Sequence, residues 1–124
     1  MTAHQKYADD LNRRLSQLIT DLSVIAEYDE YSGDWEAVPD TEIQAESDTN
    51  SKADAVEELT ERRATVAALE TEFRATKRAL SKIANNTYGI CEISNQPIEA
   101  ERLAVRPAAR TCILHQDEES TLPL

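Results

Sequence analysis

The chain has 124 residues, enough for one modest core, and carries 24 Asp and Glu against 13 Lys and Arg, a formal charge of −11. That balance argues against a general nucleic-acid binder, which needs clustered cations to meet phosphates, and points to basic surfaces or metal ions as partners. Two glycines and four prolines beside abundant Ala, Glu, Leu, Arg and Thr predict an all-α body. No apolar run approaches the roughly 20 residues of a membrane span, and Met1-Thr-Ala-His-Gln-Lys lacks the apolar centre of a signal peptide, so a soluble cytoplasmic protein with no membrane contact is expected.

From Ala3 to about Ala26, Tyr7, Leu11, Leu15, Leu18, Leu22 and Ile25 recur in steps of three and four, the stripe of an amphipathic helix. Thr2 with Gln5 resembles a capping box at its start, and His4 falls on a polar first turn where solvation is expected. Residues 27–54 hold ten carboxylates and one Lys, a negative pole. Gly33, Pro39 and the Asp-Thr-Asn-Ser cluster at 48–51 are turn formers, whereas Tyr28, Tyr31, Trp35, Val38 and Ile43 are too apolar for a wholly disordered linker. A partly ordered loop or a short helical extension is expected there, with the aromatics packed against the neighbouring helices rather than offered to a partner.

A second helical pattern runs from Ala55 through Leu59, Val66, Leu69, Phe73, Leu80 and Ile83, with Arg62 and Thr76 in the same seam. Four heptads of this spacing make a rod of roughly 45 Å, and helix one is its nearest partner. Ser51 with Asp54 suggests a capping box at its start, Asn85-Asn86 and Gly89 supply helix-ending residues, and Arg62 is placed to reach an acidic residue of helix one. The expected architecture is thus an antiparallel two-helix coiled-coil hairpin over 1–86 with an acidic tip at about 27–54, a small head over 87–115, and a tail at 116–124 too poor in apolar residues to do other than fray.

The head carries Cys91-Glu-Ile-Ser94 and Cys112-Ile-Leu-His115, two ligand pairs with zinc-knuckle spacing and a serine where one sulfur would stand. Three readings of these residues stay open. Cys91, Cys112 and His115 hold zinc with water or Glu92 as fourth donor; or the knuckle is empty, Ser94 bonds its own turn, and Ile93, Ile98, Leu103 and Ile113 form a mini-core; or the two thiols form a redox pair. Hydrolysis is not expected, because no general base accompanies the cluster, so the protein is not read as an enzyme.

The stretch Thr87-Tyr-Gly-Ile-Cys-Glu-Ile-Ser-Asn-Gln-Pro-Ile98, followed by Glu101-Arg-Leu-Ala-Val-Arg-Pro-Ala-Ala-Arg-Thr-Cys112 and His115, resembles the C-terminal zinc finger of the DksA/TraR family. The resemblance implies a monomeric regulator of transcription that binds RNA polymerase rather than DNA. It further implies that the coiled coil would enter the secondary channel and an acidic tip would approach the active site. The family's tip pattern, Asp-x-x-Asp-x-Ala, falls on Asp48-Thr-Asn-Ser51-Lys-Ala53, so Asp48 and Ala53 match, Ser51 replaces the second aspartate, and Asp54 lies close enough to supply the charge. At the other end, Ser94 replaces a ligand cysteine. The alternative is a structural or adaptor protein that keeps the fold but binds another partner, such as a ribosome-associated complex.

Overall fold

The computed structural model describes residues 3–39 and 49–123. Helix α1 spans Ala3–Ile25, strands β1 and β2 span Ala26–Asp29 and Asp34–Ala37, helix α2 spans Thr49–Ala84, helix α3 spans Ala100–Val105, and a 3-10 stretch covers Ile113–Thr121. The Thr2 capping box, Ile43 and Asp48 lie outside the described residues, as does the side chain of Ser51. The chain divides into two units, one of residues 1–16 with 74–124 and one of 17–73.

The periodic stripe of α1 is buried where the spacing required it: Leu11, Leu18 and Leu22 are at most 3% exposed. Along α2 the buried positions are Val66, Phe73, Ala75, Thr76 and Ala79, so small residues carry much of the contact face that the seam assigned to Leu59, Leu69 and Leu80. This helix starts at Thr49, six residues before the apolar pattern, which puts Ser51 inside the first turn rather than at the cap. Its other end follows the helix-ending signal closely. Asn86 adopts φ 60°, its N–H donates to Ile83 O, and the Thr87 N–H donates to Lys82 O at 2.8 Å, the pair of bonds that satisfies the last carbonyls in a Schellman ending.

In the unit of residues 17–73, the first part of the segment expected as a partly ordered loop or short helical extension is an antiparallel β-hairpin over residues 26–37, and residues 49–54 are the first turns of α2. The hairpin corrects the all-α reading to a mostly helical fold with a two-stranded sheet. Its turn closes on Gly33, whose φ of 76° suits glycine and whose N–H donates to Asp29 O at 2.8 Å. The register sets Tyr28 opposite Trp35, and both rings meet Phe73 of α2, with ring centroids 6.2 and 5.8 Å away. Trp35 is 8% exposed, so packing wins over partner display for this ring, while Tyr31 at the turn is fully exposed. The same register sets Glu27 opposite Glu36 and Asp29 opposite Asp34, like charges on the other face that oppose strand pairing. The aromatic cluster, at about 0.5–1.5 kcal/mol per ring pair beyond area burial, outweighs that cost. The Val38 N–H donates to Ile25 O, and Arg62 donates to Val38 O at 3.0 Å and pairs with Glu58 of its own helix. Arg62 therefore anchors the returning strand instead of reaching an acid of helix one.

In the other unit, one apolar cluster joins Leu11 of α1, Ala75 and Ala79 of α2, and Tyr88, Cys91, Ile98, Leu103, Ala108, Ala109 and Cys112. Ile93 packs against its edge, whereas Ile113, expected in the mini-core, is 44% exposed. His4 is exposed, as expected, and its ring also lies edge-on to Tyr88 at 5.4 Å. The Tyr88 hydroxyl donates to Pro107 O at 2.6 Å, and burial, then Tyr7 and Asp10, raise its pKa. The tail does not fray within the described residues, since the 3-10 stretch runs to Thr121 with Glu119 tied to three arginines. Among the described residues no helix is long and apolar enough to cross a membrane.

Candidate metal centre

Cys91 sits in a tight knuckle whose geometry follows from two residues with positive φ. Gly89 (φ 82°) lets its carbonyl accept the Ile98 N–H at 2.7 Å, and Asn95 (φ 59°) closes the turn that returns the Asn95 N–H to Cys91 O at 2.9 Å. The Cys91 N–H donates to Gln96 O, Ile90 bridges to Pro97, and the Glu92 N–H donates to Arg110 O, which stitches the knuckle to the segment leading into Cys112. The sharp turn leaves Ser94 facing the second cysteine. Cys112 caps the 3-10 stretch, and the His115 N–H donates back to Cys112 O at 3.1 Å.

The ligand atoms of Cys91, Cys112 and His115 all lie within 4.8 Å of one another, and both cysteines are free and buried. His115 Nδ1 is 4.0 Å from Cys91 Sγ and 3.2 Å from Cys112 Sγ, and Ser94 Oγ is 3.9 Å from Cys112 Sγ. Tetrahedral zinc, with bonds of about 2.3 Å to sulfur and 2.0–2.1 Å to nitrogen, places such donors about 3.6 Å apart. The two sulfur–nitrogen distances bracket that value, so the donor set fits zinc in both chemistry and spacing. Burial pushes the Cys91 thiol up, but hydrogen bonds to its sulfur from the Ser94 hydroxyl and from the backbone of Ser94, Cys112 and Ile93 outweigh it and bring the group down to about 6. A thiolate at neutral pH is the form that binds metal.

Glu92, expected as a fourth donor, has a different task. Its carboxylate accepts from Arg110 Nε at 2.6 Å, Arg110 Nη2 at 2.9 Å and Lys82 Nζ at 2.7 Å, so it is held by cations and is not grouped with the three N/S donors. The Arg110 hydrogen bonds hold the Glu92 carboxyl well below its ordinary range, at about 2, with Lys82 assisting against the effect of burial. Because the folded state lowers this pKa from 4.5, its stabilisation is complete above that value and is lost as pH falls toward about 2. Acid titration followed by circular dichroism is expected to show a loss of stability in that window, flattened by Glu92→Gln. Identical profiles for the two proteins would show that this carboxylate is not the acid-sensitive group.

Of the tip residues, Ala53 and Asp54 are exposed near the start of α2. The residue that sequence reading missed is Glu119, which looked like one more charge in an acidic tail. The clue lay in Arg102, Arg106 and Arg110, three cations with a four-residue repeat.

Three N/S donors gathered by short turns are the ligand pattern of a zinc finger. Residues 86–113 match the family model described as the prokaryotic dksA/traR C4-type zinc finger, a stretch that contains Cys91, Ser94 and Cys112, with His115 two residues beyond it. The fold is that of transcription factor DksA2 from Pseudomonas aeruginosa, at a TM-score of 0.72 and 20% identity over 95% of this chain and 83% of that one. An RNA polymerase binding protein and transcriptional regulator from Chlamydia trachomatis L2 aligns at a TM-score of 0.46 and 20% identity, over 100% of this chain and 99% of that one. The uncharacterized protein YlyA of Bacillus subtilis (strain 168) is 43% identical over 60 residues, a stretch that spans 45% of this chain and about half, 48%, of that relative.

Proposed function

We propose that the chain is a non-enzymatic regulator of transcription that binds RNA polymerase through its acidic unit, entering the secondary channel as the DksA/TraR resemblance implies. The observation that carries this reading is the segregation of charge on a fold shared with a transcription factor. Residues 17–73 contain sixteen of the 24 carboxylates and only three of the 13 cations, whereas the finger unit is close to balanced. A surface so negative gains rate and orientation from a basic channel and is repelled by nucleic acid, which accounts for a regulator that does not touch DNA. In this reading α1 and α2 form the antiparallel hairpin, Asp48 and Asp54 supply the charge nearest the polymerase active site, with Ser51 and Ala53 between them, and the finger holds zinc through Cys91, Cys112 and His115 with Ser94 at the fourth corner.

Co-purification with RNA polymerase, followed by an initiation assay, tests it. Wild-type protein is expected to co-purify in a salt-sensitive manner and to change transcript output, and Asp48→Ala/Asp54→Ala is expected to keep binding while losing most of the effect on initiation. If wild-type protein neither co-purifies nor alters output, the regulator reading fails and an adaptor on another partner takes its place.

A further inference from the structure

The C-terminal stretch carries His115 and is tied at its near end by Glu99 and at its far end by Glu119, with Arg110 Nη1 donating to Pro123 O at 2.6 Å just beyond it. Glu119 Oε2 accepts from Arg102 Nη2 at 3.0 Å and lies 3.8 Å from Arg106 Nε, while Glu119 Oε1 accepts the Arg110 backbone N–H. The Arg102 and Glu119 side chains are 13% and 17% exposed, so this is a largely desolvated clamp and not a surface pair. Arg102 also donates to Thr111 O at 2.6 Å and to Thr111 Oγ1 at 3.2 Å, which fixes the residue just before Cys112. At the near end of the stretch, the Ile113 N–H donates to Glu99 at 2.9 Å. His115 lies between these two ties, at a kink (φ −109°, ψ 15°) where two short helical turns meet. Its ring position is therefore set by both flanking turns being docked.

We infer that Glu119 is a positioning residue for the metal centre: by clamping the 3-10 stretch onto Arg102, Arg106 and the Arg110 amide, it holds His115 Nδ1 beside the two sulfurs. This rests on the reading that Cys91, Cys112 and His115 bind zinc. A site lacking one sulfur depends more on its histidine, and a histidine on an undocked tail must pay the ordering entropy when metal arrives. Partners that orient a ligand without touching the metal are worth about 10- to 100-fold in affinity. By linkage, metal and clamp stabilise the same docked stretch.

The test is titration of the full chain with Co(II), followed through thiolate-to-cobalt charge transfer and the d–d bands, with zinc competition. Glu119→Gln is expected to weaken cobalt binding by at least about tenfold and to shift the d–d bands toward those of His115→Ala. In the His115→Ala background the same Glu119→Gln change is expected to have no further effect, because the ligand it positions is gone. Amide exchange should show lost protection in 113–121 with the Cys91 knuckle still protected. Wild-type binding with Glu119→Gln within twofold of it overturns the clamp and leaves the metal reading standing. An equal loss in both backgrounds, or lost protection throughout the head, also overturns it, since Glu119 would then be a general stabiliser of the head. No cobalt or zinc uptake by wild-type protein overturns both.

Discussion

Arg102→Ala is expected to destabilise the head by about 3 kcal/mol. The truncation leaves the carbonyl of Thr111, a residue that is 0% exposed, without its 2.6 Å donor, and it removes the closest guanidinium from a Glu119 carboxylate that is largely out of water. Breaking a buried pair from one side costs more than the pair is worth, because the remaining charge stays desolvated. Arg106 and the Arg110 amide still face Glu119, which keeps the cost at the lower end of that range. Arg102→Lys is expected to recover the charge but not the fork that serves Glu119 and Thr111 together, and so to lose roughly half as much. Urea unfolding of the three proteins decides this, and an Arg102→Ala midpoint equal to wild type would remove the clamp from any account of the head.

Ser94→Cys is expected to raise zinc affinity roughly a hundredfold, about 2.7 kcal/mol. The hydroxyl of Ser94 is 3.9 Å from Cys112 Sγ in a knuckle whose backbone turn is already set by Gly89 and Asn95, so a sulfur there enters the existing frame. With three thiolates and a histidine the site becomes a complete structural set. Competition against a chromophoric chelator measures the change. If the variant takes up one zinc and wild type takes up none, the native knuckle is empty and held by packing alone. If both bind with the same affinity, Ser94 does not occupy the fourth corner.

Much of this could be read from the chain because the signals were local. The limits of α1 followed from a stripe whose period matches the helix, and the end of α2 followed from Asn85-Asn86, where asparagine tolerates the left-handed turn that closes the last carbonyls. The ligand pairs were legible from spacing, which a tight knuckle turns directly into proximity. The β-hairpin was not. Each strand is four residues long and thick with carboxylates, so its alternation is too brief to outweigh its charge, and what stabilises it is Phe73, 38 residues beyond Trp35. Glu92 stood as one of two alternative fourth donors for the same reason: a carboxylate beside a candidate ligand cysteine looks like a donor until Arg110 and Lys82 are brought to it.

By itself the sequence determined the helical body, the concentration of negative charge and the pairing of Cys91, Cys112 and His115 as candidate donors, since each depends on residue type, period and short spacing along the chain. Only the tertiary structure decided which carboxylates are structural. Glu92 and Glu119 resemble the other acidic residues in one dimension, and their roles come from arginines that folding brings from 17 to 18 residues away into a partly desolvated site. There the energy of a charge is set by its partners and its loss of water rather than by its neighbours in sequence.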